Sequence, residues 1–142
     1  MYKAQNAKFR LKSYQIAKAS LNFDIPNEST LKIFFNPSGK YRSEKGEYDL
    51  FLDTKVVIAD KNEDNNEVVN VTCRAFFQFE STFSFKDIPD YFFPNCIAIV
   101  FPYIRAFIST LSVQANISSP IILPIVNLKK LGSILSQNTV EE

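Results

Sequence analysis

The strongest pattern in the sequence is an alternation of apolar and polar side chains over residues 69–85. Eight of the nine odd-numbered positions are apolar, and the even-numbered positions are polar except for Phe76. This period of two is typical of a strand with one face on a core and the other towards solvent. Seventeen residues exceed a usual strand, so we expect a break or bulge near residues 80–82. The chain must therefore build a sheet that is covered on one face.

Two other segments predict strands of the same kind. Residues 17–25 alternate and end at a Pro-Asn pair, and a short strand is expected before them around residues 9–13. Residues 47–59 also alternate, and a polar turn joins them to the third strand as a hairpin. The intervening residues 26–46 hold two Pro, two Gly and several Ser and Asn. We expect a long irregular excursion there.

The second half of the chain predicts helices. A long helix should run from about Pro94 to Gln114, with Pro102 kinking or splitting it. Residues 116–127 are expected to be extended because two prolines oppose helix formation. Asn127 is a suitable N-cap for a final helix that ends near residue 136. Strands followed by helices predict an α+β fold, with an antiparallel sheet and helices on one side, in one domain over residues 1–142.

The long helix is unusually apolar, because Arg105 is the only charged residue between Tyr91 and Leu128. Its length would allow it to span a bilayer. Four prolines in the region and the mid-helix arginine argue against stable membrane insertion. We instead predict that this helix belongs to a soluble protein. Because one chain of 16.2 kDa is small for covering a helix that is apolar on nearly all sides, we expect the chains to oligomerise. The N-terminal residues lack the apolar core of a secretory signal, so a cytoplasmic location with free, buried Cys73 and Cys96 is expected.

Composition speaks against an enzyme. The sequence has no His, two Cys and three unclustered Gly, so it offers no His-assisted nucleophile, no recognisable metal motif and no phosphate-binding loop. A net charge of +1 provides no basic footprint for nucleic acid. We therefore predict no catalytic residues, no metal and no cofactor.

Aromatic side chains are the other notable feature, with 14 Phe in the chain. Phe51 and Phe76 fall on polar strand faces, and Phe34 and Phe35 fall in the expected excursion. The final helix carries an apolar stripe made of Leu128, Leu131, Ile134 and Leu135. In one interpretation the excursion and the last helix simply fold over these groups and bury them. In another they line a groove for extended apolar segments, and in a third they enclose a cavity for a small apolar ligand.

Three motifs in the second half and at the first strand resemble the SecB family of bacterial export chaperones. Residues 101–105 read Phe-Pro-Tyr-Ile-Arg and are followed by an Ile-Ser pair, similar to that family's long-helix signature. Residues 117–128, with Pro120, Pro124 and Asn127, resemble the segment before its final helix. Residues 21–26 resemble its first strand. The matches lie in the family's order and extend over about three quarters of the chain.

The resemblance implies a four-stranded antiparallel sheet with a crossover loop, a long helix and a short final helix. It implies a homotetramer, a dimer of dimers packed through the long helices, and we assign that interface to Phe101, Tyr103, Arg105, Phe107 and Ile108. It also implies an ATP-independent holdase that binds unfolded polypeptides in hydrophobic grooves. That groove maps here onto Phe34, Phe35, Phe51, Phe76, Leu128, Leu131 and Leu135.

Two features differ from the family pattern. Export members are acidic and dock the SecA motor on an acidic sheet face, whereas this chain has net charge +1 and mixes Lys18, Lys55 and Arg74 with acidic residues on that face. The family resemblance therefore implies SecA as a partner, whereas the charge pattern of this chain argues against it. Divergent members of the family protect one antitoxin of a toxin–antitoxin system, and this is the alternative function for this chain.

For Arg105, we predict a structural role in which its side chain pairs with a carboxylate or carbonyl group.

Overall fold

The computed structural model describes residues 8–59 and 66–142. Within these residues the chain forms five strands, two α-helices and a short 3₁₀ turn at Phe85–Asp87. In chain order the elements are β1 (Phe9–Leu21), β2 (Leu31–Arg42), β3 (Glu47–Ile58), β4 (Glu67–Phe79), α1 (Phe92–Gln114), α2 (Leu128–Gln137) and β5 (Thr139–Glu141). The predicted α+β class is confirmed.

The strands form one sheet in the order β1-β4-β3-β2-β5. The four long strands are antiparallel, as predicted, but β5 adds to β2 in the parallel direction over Gly39–Tyr41. The predicted four-stranded antiparallel sheet was therefore wrong by one strand. Three residues are too few to show an alternation, so β5 leaves no signal in the sequence.

The expected excursion over residues 26–46 was also wrong, because most of it is β2. Pro37 is tolerated because its missing N–H lies on the side of β2 that faces away from β3. Gly39 is required because the ring of Tyr48 lies against it, and a Cβ at this position would be 2.9 Å from Cε1 of that ring. The irregular connection is shorter than expected. We call residues 22–30 the crossover segment, since they carry the chain from β1 past β4 and β3 to β2.

The two strands expected around residues 9–13 and 17–25 are a single strand, β1. Two register shifts against β4, between Leu11 and Ser13 and between Ile16 and Lys18, reset which side chains face the core. The strand ends at Leu21, so the next two apolar residues pack on the core from the crossover segment. In β4 the predicted break near residues 80–82 is confirmed, because the strand ends at Phe79. The predicted hairpin turn falls largely at residues 60–65, outside the described residues.

The core lies between one face of the sheet and α1. Alternate residues of β3 and β4 point into it, and α1 contributes Phe92, Ile97, Val100, Ile104 and Ile108, all fully buried. The helix is continuous through Pro102, so of the predicted kink or split the split was wrong. By length and composition α1 is able to cross a membrane, yet 33% of its apolar window is buried inside the chain. Phe101 and Phe107 are half-buried against the core, whereas Ile99, Tyr103 and Val113 remain exposed on this helix.

The final helix begins as predicted. Asn127 is its N-cap, and its Oδ1 accepts a hydrogen bond from the Lys130 amide at 3.0 Å. Leu131 and Leu135 face inward, and Gly132 lets α2 approach the ring of Pro94 in α1. α2 therefore packs beside α1 and delivers the chain to the edge of β2, where β5 starts.

Candidate functional site

An apolar cavity of about 760 Å³ lies between α1 and the linker, residues 115–127, that joins the two helices. Its walls include Phe101, Pro102, Ala106, Ile122, Ile125 and Leu128. Ile122 is 62% exposed and Ile125 is completely exposed. Isoleucine side chains left in water at such a concave surface favour a partner that buries them.

The linker is held in place by hydrogen bonds to side chains of α1. Arg105 donates from Nε to the carbonyl of Leu123 at 3.0 Å, so its partner is a carbonyl group, one of the two kinds of partner predicted, and belongs to the same chain. Ser112 accepts from the amide of Ile121 at 2.9 Å and donates to the carbonyl of Ser109. These contacts bury Ile121 and Leu123. Because an extended backbone alternates its side chains, Ile122 is directed outward.

A second cavity of about 690 Å³ lies between the crossover segment and the linker, beside the start of β2. Phe23, Ile25, Leu31 and Ile33 contribute its apolar walls. Ile122 and Pro124 line both cavities, so the two meet at the linker. We call the two cavities together the linker groove. The first cavity has mainly apolar walls, whereas the second also exposes polar groups of Asn27, Glu28 and Ser118. The apolar part of this groove suits an extended chain with exposed apolar side chains.

The seven residues predicted to line a groove do not lie together. Leu128 lines the linker groove, whereas Leu131 and Leu135 are buried beneath α2. Phe35 faces the core side of the sheet and its ring meets that of Phe101 edge-on, with centroids 5.7 Å apart. Phe34, its neighbour in β2, points to the opposite face because strand side chains alternate. One contiguous groove over all seven residues is therefore excluded.

The outer face of the sheet, which α1 does not cover, holds the other three predicted aromatic residues. Phe34 is 54% exposed there. Phe51 and Phe76 flank Arg74, whose guanidinium carbon lies 5.5 and 5.3 Å from the two ring centroids. Cation–π contact and stacking occupy these two rings within the chain. Phe34 is thus the more available aromatic group on this face.

Four of the five predicted interface residues are on the accessible surface of α1, and one is not. Tyr103 is exposed and stacks on Tyr14 of β1 at 4.2 Å between centroids. Phe101, Arg105 and Phe107 are exposed or half-buried. Ile108 was misplaced, since it is fully buried against the sheet. The helical period of 3.6 turns it towards the core together with Ile104.

Sequence patterns missed the most exposed groove residues, Ile122 and Ile125. Both lie in an extended run with no helical or strand periodicity, so no face was assigned to them. The available signal was compositional, because three isoleucines flank one Leu-Pro pair in a segment that prolines keep extended.

The interior contains the two cysteines of the chain. Both cysteines are free and buried, as predicted. Burial raises the pKa of the Cys73 thiol to about 11 and raises that of Cys96 further, so both are held as thiols at neutral pH. In residues 8–59 and 66–142 there is no group of three or more Cys, Asp or Glu side chains arranged to hold a metal ion.

Comparison with known proteins bears on the fold. The Mycobacterium tuberculosis Rv1957 SecB-like chaperone, solved in complex with a ChAD peptide from the HigA1 antitoxin, aligns with a TM-score of 0.66 over 84% of this chain and 88% of that chain, at 13% identity. A protein of unknown function from Streptococcus agalactiae aligns with a TM-score of 0.46 over 84% of this chain and 98% of that one, at 10% identity.

Similarity at the level of sequence extends over a smaller part of the chain than the structural similarity. No family model matches the chain. A segment of 52 residues, 34% of this chain, is 40% identical to an uncharacterized protein of Methanocaldococcus jannaschii and spans 33% of that protein's length. The structural alignment agrees with the fold that the motifs over residues 101–128 predicted. The chain therefore has the SecB-like chaperone fold that its sequence motifs predicted.

Proposed function

We propose that this protein is an ATP-independent holdase chaperone that binds unfolded polypeptide in the linker groove. The observation that carries the proposal is the exposure of Ile122 and Ile125 at the rim of an apolar cavity. Burying an exposed isoleucine against a client is worth roughly 1.5–3 kcal/mol. A folded client has already buried its apolar side chains, so only unfolded chains would gain this energy.

The alternative of a small-ligand carrier is less well supported. Such carriers bury most of the ligand in a largely enclosed cavity. Here the cavity wall includes an isoleucine that is completely exposed. A surface of this kind suits a long chain that runs along it rather than a small molecule held inside.

The same proposal includes a cytoplasmic homotetramer formed through the accessible surface of α1. Tyr103, Phe107 and Ile99 leave apolar area on this helix that the chain does not cover. Burial of such area is the main driving force of association. The outer sheet face would dock SecA only if that partner tolerated its mixture of cationic and acidic side chains.

Light scattering on a gel-filtration run with a denatured, Trp-containing client tests holdase function. The chain has no Trp, so Trp emission in its peak reports bound client. We expect the unfolded client to elute with the protein and its folded form to elute separately. Four chains would give a mass of about 65 kDa, based on 16.2 kDa per chain.

Two charge substitutions locate the site. Ile125→Asp adds a charge at the rim of the linker groove without entering the core, and we expect about tenfold weaker client binding. Val140→Asp is the matched control, because Val140 is also exposed but lies on β5. Phe34→Asp tests the outer face of the sheet in the same way. Loss of binding in Phe34→Asp with none in Ile125→Asp would move the site to that face and refute the linker groove.

A dedicated antitoxin chaperone is the second candidate function. It is favoured by the structural neighbour, whose complex contains a peptide from an antitoxin. This candidate predicts one high-affinity peptide partner, encoded next to this gene, that outcompetes general unfolded clients. Equal affinity for many unrelated denatured clients, with no neighbouring toxin–antitoxin pair, would contradict it.

A further inference from the structure

Arg74 lies on the outer face of the sheet, and its positive charge has no acidic partner. In the register of the sheet it stands between Gln15 of β1 and Phe51 of β3. Within residues 8–59 and 66–142 its side chain makes no ion pair and no hydrogen bond. Its Nε is buried and has no acceptor there. A half-buried cation is normally paired, because the lost hydration must be offset.

Two aromatic rings hold the guanidinium of Arg74 in one position. Phe51 and Phe76 flank it, with their ring centroids 5.5 and 5.3 Å from its central carbon. Cation–π attraction does not consume hydrogen-bond donors, so the two terminal amino groups keep their capacity to donate. A side chain that is already ordered loses little entropy when a ligand binds to it. Arg74 is therefore preorganised to receive an acceptor from outside the chain.

The acidic residues nearest to Arg74 on this face have other partners. Asp49 and Asp53 lie on β3, two residues before and two residues after the residue that pairs with Arg74. Asp49 accepts two hydrogen bonds from the guanidinium of Arg42, at 2.7 and 2.9 Å. Asp53 accepts one from the hydroxyl of Thr72 at 2.7 Å. The face thus carries acidic side chains, but none of those in the described residues pairs with Arg74.

A concavity of about 530 Å³ lies beside Arg74, and Thr72, the next outward residue of β4, belongs to its wall. Lys18 also lines it and has no ion pair in the part of the chain that the structure describes. Phe34, which is 54% exposed, adds an apolar surface. The other lining residues are polar: Asn36, Asp53, Lys55 and Asn70. The site therefore offers two unpaired cations and one exposed ring.

We propose that the outer face of the sheet is a second binding surface, on which Arg74 pairs with a carboxylate of an acidic segment of a partner protein. A second carboxylate of that segment would pair with Lys18, and an apolar side chain would cover Phe34. A carboxylate matches the planar fork of a guanidinium and can accept two parallel hydrogen bonds from it. Nucleic acid fits less well, because its closely spaced phosphates would meet Asp49 and Asp53.

This inference does not depend on the holdase function, because the linker groove and the outer face lie on opposite sides of the sheet. The linker groove contacts Ile33 of β2, whose side chain faces the core side, whereas Phe34 faces the other side. A client in the groove and an acidic segment on the outer face would therefore bind to separate surfaces. Each surface can be impaired without changing the other.

A pair of synthetic peptides tests the chemistry of the partner. The probe is a fluorescently labelled nine-residue peptide with Glu at three alternate positions and one Phe, and the control carries Gln in place of every Glu. Fluorescence anisotropy measures binding to the full chain. We expect the Glu peptide to bind at least tenfold more tightly than the Gln peptide, and its affinity to fall with added salt. Equal affinities, or no binding of the Glu peptide at millimolar concentration, would overturn the proposal.

Substitution of Arg74 tests the position of the site. Arg74→Gln should weaken binding of the Glu peptide about tenfold. Arg10→Gln is the matched control, because Arg10 is an exposed arginine on the same face, opposite Gln78, and its loss changes the net charge equally. We expect less than a twofold effect from it. Arg74→Lys keeps the charge but lacks the planar fork, so most of the loss should remain. Equal effects of Arg74→Gln and Arg10→Gln would reveal unspecific charge attraction and refute the site.

Further measurements distinguish the remaining outcomes. Circular dichroism identifies an Arg74 variant that has not folded; in that event Lys18→Gln, with an expected threefold loss, is compared with Arg10→Gln. Ile125→Asp should leave binding of the Glu peptide unchanged, and Arg74→Gln should leave binding of the denatured client unchanged. Loss of Glu-peptide binding in Ile125→Asp would place the peptide in the linker groove and overturn the proposal. Stronger competition by a single-stranded oligonucleotide than by unlabelled Glu peptide would also overturn it, in favour of nucleic acid.

Discussion

Substitution of Gly39 by alanine tests how β5 is anchored to the sheet. Tyr48 is fully buried, and its ring occupies the space where a Cβ on Gly39 would be, with contacts to Cε1, Cζ and Oη. The Tyr48 hydroxyl lies 2.6 Å from Oγ1 of Thr139, the first residue of β5. Thr139 donates its own proton to the carbonyl of Leu135 at 2.7 Å, so Tyr48 is the donor in this pair. A displaced ring therefore loses its bond to β5.

The magnitude follows from these contacts. Inserting a methyl group into a close-packed core costs typically 1–3 kcal/mol. Loss of the buried hydrogen bond adds about 1 kcal/mol, whereas replacing Gly in a strand interior returns roughly 0.5–1 kcal/mol. We expect Gly39→Ala to lower the free energy of unfolding by about 1–3.5 kcal/mol. Tyr48→Phe, which removes only the hydroxyl, is expected to cost about 1 kcal/mol.

Urea unfolding followed by far-ultraviolet circular dichroism measures these changes, because the chain has no Trp. A double-mutant cycle isolates the steric contribution. In a Tyr48→Leu background the ring is absent, so Gly39→Ala should cost less than about 1 kcal/mol. Equal costs of Gly39→Ala with and without the ring would refute the steric argument.

Three further predictions concern α2 and the core thiol. Asn127→Ala removes the N-cap of α2 and should cost about 1 kcal/mol in urea unfolding, while unchanged stability would show that this cap is not needed. Gly132→Ala gains about 1 kcal/mol of helix propensity, but its Cβ would lie 2.8 Å from the rigid ring of Pro94; we expect net destabilisation, and a gain like that of the exposed control Ser133→Ala would contradict this. The pKa of Cys73 rises from 9.0 to about 11 on folding, so the unfolded state loses this proton first and stability should fall as the pH rises from 9.0 to about 11. The fall should be smaller in Cys73→Ala, and identical pH profiles would argue against burial of an ionisable thiol.

Local sequence patterns predicted the elements in which a regular alternation continues over many residues. The alternation in β3 and β4 matches the buried faces of both strands, because one side of each strand packs on α1. Asn127 was recognisable as an N-cap because capping depends on a hydrogen bond within three residues. The SecB-like fold could be predicted from a motif in which Pro102, Tyr103 and Arg105 occur in a fixed order.

The candidate site was predicted less well than the fold. Phe34 and Phe35 were assigned to one groove because they are adjacent in a segment expected to be irregular. As members of β2 they point to opposite faces, so adjacency in sequence separates them in space. Ile122 and Ile125 were missed because the linker has no period from which to assign a face. Exposure of an aperiodic segment depends on what packs against it.

The sequence by itself determined the α+β class, the alternating core strands, the apolar long helix and the absence of His chemistry, since each depends on residue type and short-range spacing. Tertiary structure alone decided that Gly39 and Pro37 lie inside a strand, because a neighbouring Tyr48 and an edge position make both residues acceptable there. It also decided the addition of β5, which lies next to β2 only because α2 packs on α1 and brings the chain back to that edge. Contacts between residues about a hundred positions apart, such as that of Asn138 with Pro37, carry no local periodicity. They arise only when the helices and the sheet have packed together.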